Sequence, residues 1–469
     1  MGQPMHITSR SALRLHPAPR SAADDDYGRS GRRVNKLLSL IVALLWLMAA
    51  VQILFEVSYL PEAMTVLVLF FLASGLPRMP RHTMILCGTL VIVILLLAQI
   101  YDQWAAIPAG IAKASIFPAF LATIVLLRAA ADQRPEIASA RQLFGALPAN
   151  ERDSGIIIGT HLIGAVLQVG VFAVLAPILG RDAPLDERRQ VFTTAIRGMM
   201  TVPFWSPFIV GMAVASQYLP LVPLWQIMGL GIALTVMAVM LSILVFDRNP
   251  GMASLKQSLA SLAPVALPVF LAALLVVGAT GTTGLSTLQA LILVLPVPSI
   301  VAVLTVRAGS LVQAGRQTAS GIGRIGPETF ILVSSTTLGA VFEAALPGMG
   351  VLGWLEALAL PPWAVILIVI MTMNVAGLFG MHAIVMGTLL LVIFTSVTTG
   401  VSDLVLMQAL LVGWGLCSGI SIASLTIATG AAMFNIPPTE LITRTNIAYV
   451  FLTSTIAAGL LWGLNTALI

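Results

Sequence analysis

"NVAGLFGMHAIVMG", residues 374–387, places three glycines, an asparagine and a histidine inside one of the most apolar runs of the chain. Glycine weakens a helix by about 1 kcal/mol relative to alanine, and an ionisable side chain is expensive in hydrocarbon. "IIIGTHLIGAV" at 156–166 has the same character. The surroundings decide how both are read. Of 469 residues, 58% are hydrophobic and only 9% are charged, and the mean hydropathy is +1.00. Soluble domains carry about 25% charged residues. The expected fold class is therefore an all-α polytopic membrane protein.

Apolar stretches fall at 37–55, 62–77, 83–101, 105–128, 155–180, 190–219, 221–246, 258–280, 286–306, 327–357, 362–398, 404–434 and 445–467. Backbone polar groups in lipid must pair within their own segment, so these are expected to be helices. The alternating ten-residue segments of a closed barrel do not occur. The two cysteines, Cys87 and Cys417, fall inside apolar stretches and read as packing residues. The net charge of +5 sits in the tail and short loops, where it orients a membrane protein and does not point to nucleic acid. Residues 1–36 read as a disordered cytosolic tail, and 37–104 as N-terminal scaffold helices.

Basic residues then set the topology. "PRMPRH" (77–82) and the segment holding Arg128, Arg134, Arg141 and Arg152 are cytosolic. The stretch 155–180 is followed at once by "RDAPLDERR" (181–189), so positive charge flanks it on both sides. Both its ends are expected in the cytosol, which makes it a re-entrant hairpin. From Ile325 to Thr443 there is no Lys or Arg across 119 residues. One span out, an outer-side hairpin at 362–398 and one span back satisfy that run. The sum is about eleven spans and two hairpins, with a cytosolic N-terminus and an external C-terminus. Residues 130–152 read as an interfacial helix.

The two hairpins also read as copies. "GTHLIG" (159–164) matches "GMHAIVMG" (380–387), with His161 and His382 offset by 221, and "SPFIVGMAVASQYLPLVP" (206–223) resembles "ASLTIATGAAMFNIPP" (423–438). A rival alignment pairs 156–166 with "ILVSSTTLGAV" (331–341). The charge pattern favours the first. It gives a repeat at 105–246 with its hairpin at 155–180, and a second at 258–467 with its hairpin at 362–398, inverted because one starts inside and the other outside. Inverted repeats with interrupted helices are the architecture of many secondary transporters.

This order of helix, hairpin, broken helix and closing helix over residues 105–467 resembles the ion transporter superfamily. That group includes divalent anion/sodium symporters, arsenite permeases and the large membrane subunits of TRAP transporters. The symporters carry Ser-Asn-Thr at their hairpin tips, where this chain has "GTH" (159–161) and "NVAG" (374–377). The resemblance implies secondary transport of a small solute, a coupling ion that includes Na+ as a bound candidate, and a homodimer. A TRAP-type subunit would add an external binding protein.

Candidate site residues follow from polarity inside apolar runs. Thr160 and His161 in the first hairpin, and Asn374, Gly377 and His382 in the second, are candidate solute or ion ligands; a tie between the hairpin and a backbone carbonyl is the structural alternative. Ser154, Gly155, Gly159 and Gly380 lie at or near the expected tips. "TVPFWSPF" (201–208) sets Ser206 between two prolines that break the helix. Ser418, Ser421, Ser424 and Thr426 supply hydroxyls in the second broken span. Glu343 is a coupling carboxylate candidate and Arg197 an anion ligand candidate, with snorkelling to the cytosolic face as its alternative. Lys113 reads as a structural charge.

The expected function is a secondary active transporter moving an organic anion with Na+ or H+, in a bacterial inner membrane. Apart from a bound Na+, no cofactor or structural metal is expected. A membrane-embedded transferase is the reading from another class. It would need large outer loops with catalytic Asp, Arg or His, and the outer loops here are short and lack basic residues. No Walker A or zinc signature is present.

Overall fold

The computed structural model describes residues 22–136, 152–176, 179, 183–246, 252–306 and 309–469, with the backbone alone at 22–34, 152 and 252–266. Every regular element among these residues is helical. Nine of the described segments are long and apolar enough to cross a membrane, and five shorter apolar helices accompany them. The chain is an all-α polytopic membrane protein.

The N-terminal helices are α1 (Ala22–Phe55), α2 (Leu60–Gly75) and α3 (Arg81–Tyr101). Because α1 starts at Ala22, residues 22–36 of the expected disordered tail are helical. Three aspartates, at 24–26, fall near that start, where negative charge complements the helix dipole. Residues 1–21 lie outside the described ones. The next span bends between α4 (Ala106–Ala114) and α5 (Phe117–Asp132). Pro118 supplies no N–H there, and the Ser115 hydroxyl donates to the Ala112 carbonyl at 2.8 Å. Of the expected interfacial helix, 137–151 fall outside the described residues.

The first unit comprises α6 (Arg152–Leu167), a 3₁₀ turn at Gln168–Gly170, α7 (Val171–Leu175), α8 (Leu185–Met200), α9 (Val210–Tyr218) and α10 (Leu224–Leu241). Beyond α10 come α11 (Met252–Thr283), α12 (Thr287–Val294), α13 (Pro296–Leu304) and α14 (Ser310–Ile322). The second unit comprises α15 (Gly326–Met349), α16 (Val351–Ala357), α17 (Pro362–Leu378), α18 (Ala383–Thr395), α19 (Asp403–Cys417), α20 (Leu425–Phe434), α21 (Pro438–Leu441) and α22 (Arg444–Leu468).

In the first unit α6 runs beside α8 in the same direction. Gln190 donates to Asp153 at 2.8 Å. A Cβ at Gly198 would lie 2.2 Å from the Ile157 carbonyl oxygen, so only glycine allows this approach. Gln168 donates to the Phe208 carbonyl at 2.8 Å. The chain then reverses. Gln168 takes φ 50°, and Phe172 sits back against Phe192 of α8, ring centroids 5.3 Å apart.

In the second unit α17 packs beside α19. Gly413 of α19 lies against Met373, and Gly377 meets Cys417. The turn Phe379–His382, with Gly380 at φ 79°, reverses the chain, so that Gly387 faces Trp414. Gly400 returns to Pro362, where the segment began. Asn465 closes this end by donating to the Gly400 carbonyl and accepting from the Ser402 N–H, both at 2.9 Å.

Gly164 packs against Met199 and Val202, and Gly377 against Cys417 and Ser421. Three residues before each stand His161 and Asn374. His161 and Asn374 thus lie in the first arms of the two fold-back segments, each one turn before a closely packed glycine. The first turn also falls at Gln168–Gly170, leaving Ser154, Gly155, Gly159, Thr160 and His161 within α6.

Both α8 and α19 stop midway. Pro203 and Pro207 remove backbone donors after α8, and 418–424 is a run of Ser and Gly with local caps. The two units interlock, with α18 on α9 and α7 on α20. Phe434 of α20 contacts Phe172 and Phe192 at 6.2 and 5.6 Å.

Candidate functional site

Both interruptions and both turns face one cavity of about 180 Å³. The first unit contributes Gln168, Val169, Met199, Val202, Pro203, Ile209 and Val210. The second contributes His382, Ala383, Ile384, Trp414, Cys417, Ser418, Ser421, Ser424, Leu425 and Thr426, and α15 adds Glu328. Val210, Ala383 and Leu425 are the first residues of α9, α18 and α20. Three helix N-termini therefore open on the cavity. Each carries a partial positive charge of about +0.5 from first-turn N–H groups, of which those of Ile384 and Ile427 are capped by side chains. The C-terminal ends of α8 and α19, at Met199 and Cys417, reach it as well.

Local hydrogen bonds assign the polar side chains. His382 Nδ1 accepts from the Ile384 N–H at 3.3 Å, so in the neutral ring Nε2 carries the proton and is the donor. Ser424 accepts from the Ile427 N–H at 3.1 Å and donates to the Ser418 carbonyl at 2.5 Å. Ser418 donates to the Gly415 carbonyl at 2.7 Å. Their hydroxyl protons are thus committed to the backbone. The Ser421 hydroxyl is buried and has no partner, and Thr426, the second residue of α20, is buried as well.

Gln168 fastens the first turn. Besides its bond to Phe208, its side-chain oxygen accepts from the Arg128 guanidinium of α5. Arg128 and Glu328 attract one another electrostatically, so the one charged residue lining the cavity has a cation behind it.

The other expected site residues lie elsewhere. Thr160 donates to the Ile156 carbonyl at 2.7 Å inside α6. His161 accepts from Trp205 Nε1 at 3.1 Å and pairs with Thr201 at 2.8 Å. Ser206 donates to the Ala165 carbonyl at 3.3 Å. Asn374 donates to Ser454 at 2.9 Å, and Gly377 is a packing position. His161, Ser206, Asn374 and Gly377 tie the fold-back arms and the interruptions to their surroundings, while Thr160 is bonded within its own helix. Glu343 is exposed and faces Lys113 electrostatically, while the Lys113 ammonium sits 4.0 Å above the Tyr218 ring.

Arg197 is only 3% exposed. It donates to Asn446 at 3.0 Å and lies over the Phe246 and Tyr449 rings at 5.1 and 5.8 Å. It lines a separate pocket with Asp153, Gln190 and Thr443, outside the central cavity. Outside the spans, Arg189 bonds Glu440 of α21, and that carboxylate holds the guanidinium above its usual range.

Sequence reading placed His382, Ser418, Ser421, Ser424 and Thr426 where the cavity is. It missed Gln168, Trp414 and Glu328. Gln168 offered a signal, as a lone amide in the apolar run "AVLQVG" (165–170). Glu328 in "IGPETF" (325–330) resembled an ordinary charge at a span boundary.

No family model matches the sequence, and neither does any curated protein. Among solved structures the chain is similar to the YdaH transporter of Alcanivorax borkumensis, described as having an unusual topology. The TM-score is 0.52 at 14% identity, over 83% of this chain and 99% of that one. At that identity the likeness establishes the fold alone.

Proposed function

We propose that the chain is a secondary active transporter for a small solute bearing a carboxylate or similar anionic group, driven by a gradient of H+ or Na+. The convergence of three helix N-termini with two interrupted helices on one cavity carries this reading. Oriented N–H groups in a water-poor site favour negative charge. The Nε2 proton of His382 adds a donor, and Trp414, Val202 and Ile209 offer apolar surface to the body of the solute. Helix C-termini and the Ser421 oxygen are suited to a coupling cation such as Na+. Glu328 is suited to a coupling proton, because its charge would otherwise oppose an anion.

In this reading the two fold-back segments are re-entrant and the two units are inverted copies, as in the ion transporter superfamily. The turn holding His382 lies near His82 at the start of α3 and shares the cavity with Glu328 in the first turn of α15. Arg78, Arg81 and Arg324 flank those helix starts, which the positive-inside rule assigns to the cytosol of a bacterial inner membrane. The cavity is then held in its cytosol-facing position. Alternation would carry the interrupted helices past α1–α5 and α11–α15, within a homodimer.

Reconstituted vesicles test the proposal with succinate and citrate as probe solutes. Accumulation above the external concentration under an imposed H+ or Na+ gradient supports it. Equilibration that ignores both gradients marks a passive channel and overturns it.

A further inference from the structure

A second cavity has different chemistry. It is a narrow apolar slot of about 80 Å³ between α5, α6, α11 and α13, walled by Leu127, Ile163, Val166, Val269, Ala272 and Ala302. Such a space is not a water site, because water needs two or more polar partners. Its flanks identify the filler. On α11, Leu267 and Leu271 next to the slot are exposed, and on α13 so are Val297 and Val301. Exposed large apolar residues on two adjoining membrane helices face hydrocarbon, so the slot adjoins the acyl chains of the bilayer.

The rim is polar and doubly charged. Arg134 pairs with Glu136 at 2.6 and 3.1 Å and also donates to Thr305 at 3.0 Å and to the Ala302 carbonyl at 3.4 Å. Partial burial raises the Glu136 carboxyl, but its hydrogen bonds and the Arg134 charge outweigh that and hold it below the usual carboxylate range. Glu136 is therefore held as a carboxylate beside the Arg134 guanidinium.

We propose that this slot holds the end of one acyl chain of a phosphatidylethanolamine, with the headgroup on the Arg134–Glu136 pair. The lipid phosphate complements Arg134 and the ammonium, with its three N–H donors, complements Glu136. A choline headgroup lacks those donors, and a glycerol headgroup lacks the cation. The chain would wedge between α6, the first arm of the first fold-back segment, and helices α5 and α13. Its occupancy would bias how readily that arm moves.

Thermal unfolding of the purified chain in detergent, with added phosphatidylethanolamine, phosphatidylcholine or phosphatidylglycerol, tests the site. Phosphatidylethanolamine should raise the melting temperature most. Ala272→Phe, which fills the slot, should lose that increment while melting normally without lipid, and Glu136→Gln should erase the preference over phosphatidylcholine. An undiminished increment in Ala272→Phe, or equal stabilisation by all three lipids, overturns the proposal. Should Ala272→Phe not fold, Ala302→Phe takes its place. If neither folds, native mass spectrometry of the unsubstituted chain decides, with a retained phosphatidylethanolamine supporting the site and a bare chain refuting it. Neither result depends on which solute is transported.

Discussion

Trp205 donates its indole N–H to Nε2 of His161 at 3.1 Å, and that bond fixes what the histidine can do. Thr201 spends its own proton on the Gly198 carbonyl at 2.8 Å. The 2.8 Å contact between His161 and Thr201 must therefore run from Nδ1–H to the hydroxyl oxygen. The ring is a neutral tautomer with both nitrogens engaged. It joins α6 to the interruption at 201–205 and has no donor left for a solute. Replacing it by alanine orphans the Trp205 N–H, at about 1–3 kcal/mol for a buried donor. His161→Ala should melt several degrees lower in detergent, while the ratio of melting temperatures with and without bound solute stays unchanged. A normal melting point together with lost solute response would reverse this assignment.

His382 should behave in the opposite way. It caps α18 through a single 3.3 Å contact, and losing such a cap costs about 1 kcal/mol. His382→Ala should therefore fold and melt close to normally, yet bind a carboxylate solute about tenfold more weakly, as expected for one lost donor worth roughly 1.4 kcal/mol. Titration calorimetry with the best-transported carboxylate measures this directly.

Two serines three residues apart separate capping from ligation. Ser424 caps α20 and bonds the Ser418 carbonyl, so Ser424→Ala should destabilise by about 1 kcal/mol. Ser421 is buried without a partner, and removing an unsatisfied hydroxyl relieves a desolvation cost. Ser421→Ala should melt at or above the native temperature and weaken the response to Na+ or solute. Equal destabilisation by both substitutions would show that Ser421 has a structural partner.

The two glutamates of α15 should differ in transport. Glu328 lines the cavity, whereas Glu343 is exposed near Lys113. In proteoliposomes Glu328→Gln should retain solute exchange and lose accumulation driven by a pH gradient, and Glu343→Gln should retain both. Should accumulation depend on Glu343 instead, coupling runs through the C-terminal half of α15.

Much of this fold was legible in the residues. Apolar runs located the spans, because hydrocarbon leaves the backbone no other pairing. Pro203 and Pro207, and the Ser-Gly run at 418–424, announced where α8 and α19 stop. The break at Phe379–His382 lay within the stretch that opened the reading. The position of the first turn was not legible. Glycines at 155, 159, 164 and 170 offer four places to bend, and flanking charge constrains only the ends. Side-chain roles were harder still. A polar residue in an apolar run looks the same whether it serves a ligand or a neighbouring helix. His161 and Asn374 hydrogen-bond neighbouring segments, and Glu328 was hidden at a helix start where carboxylates are commonplace.

The clasp around the first interruption has a mechanical consequence. A Cβ on Gly231 would stand 1.9 Å from the Phe204 carbonyl oxygen, and one on Gly415 would stand 2.2 Å from that of Met200. Gln408 of α19 donates to the same Phe204 oxygen at 2.9 Å. With backbone against backbone on two sides, and a hydrogen bond on a third, there is no clearance for α8, α10 and α19 to slip past each other. The three helices are thereby locked into one block, which a substitution at Gly231 or Gly415 would have to pry apart.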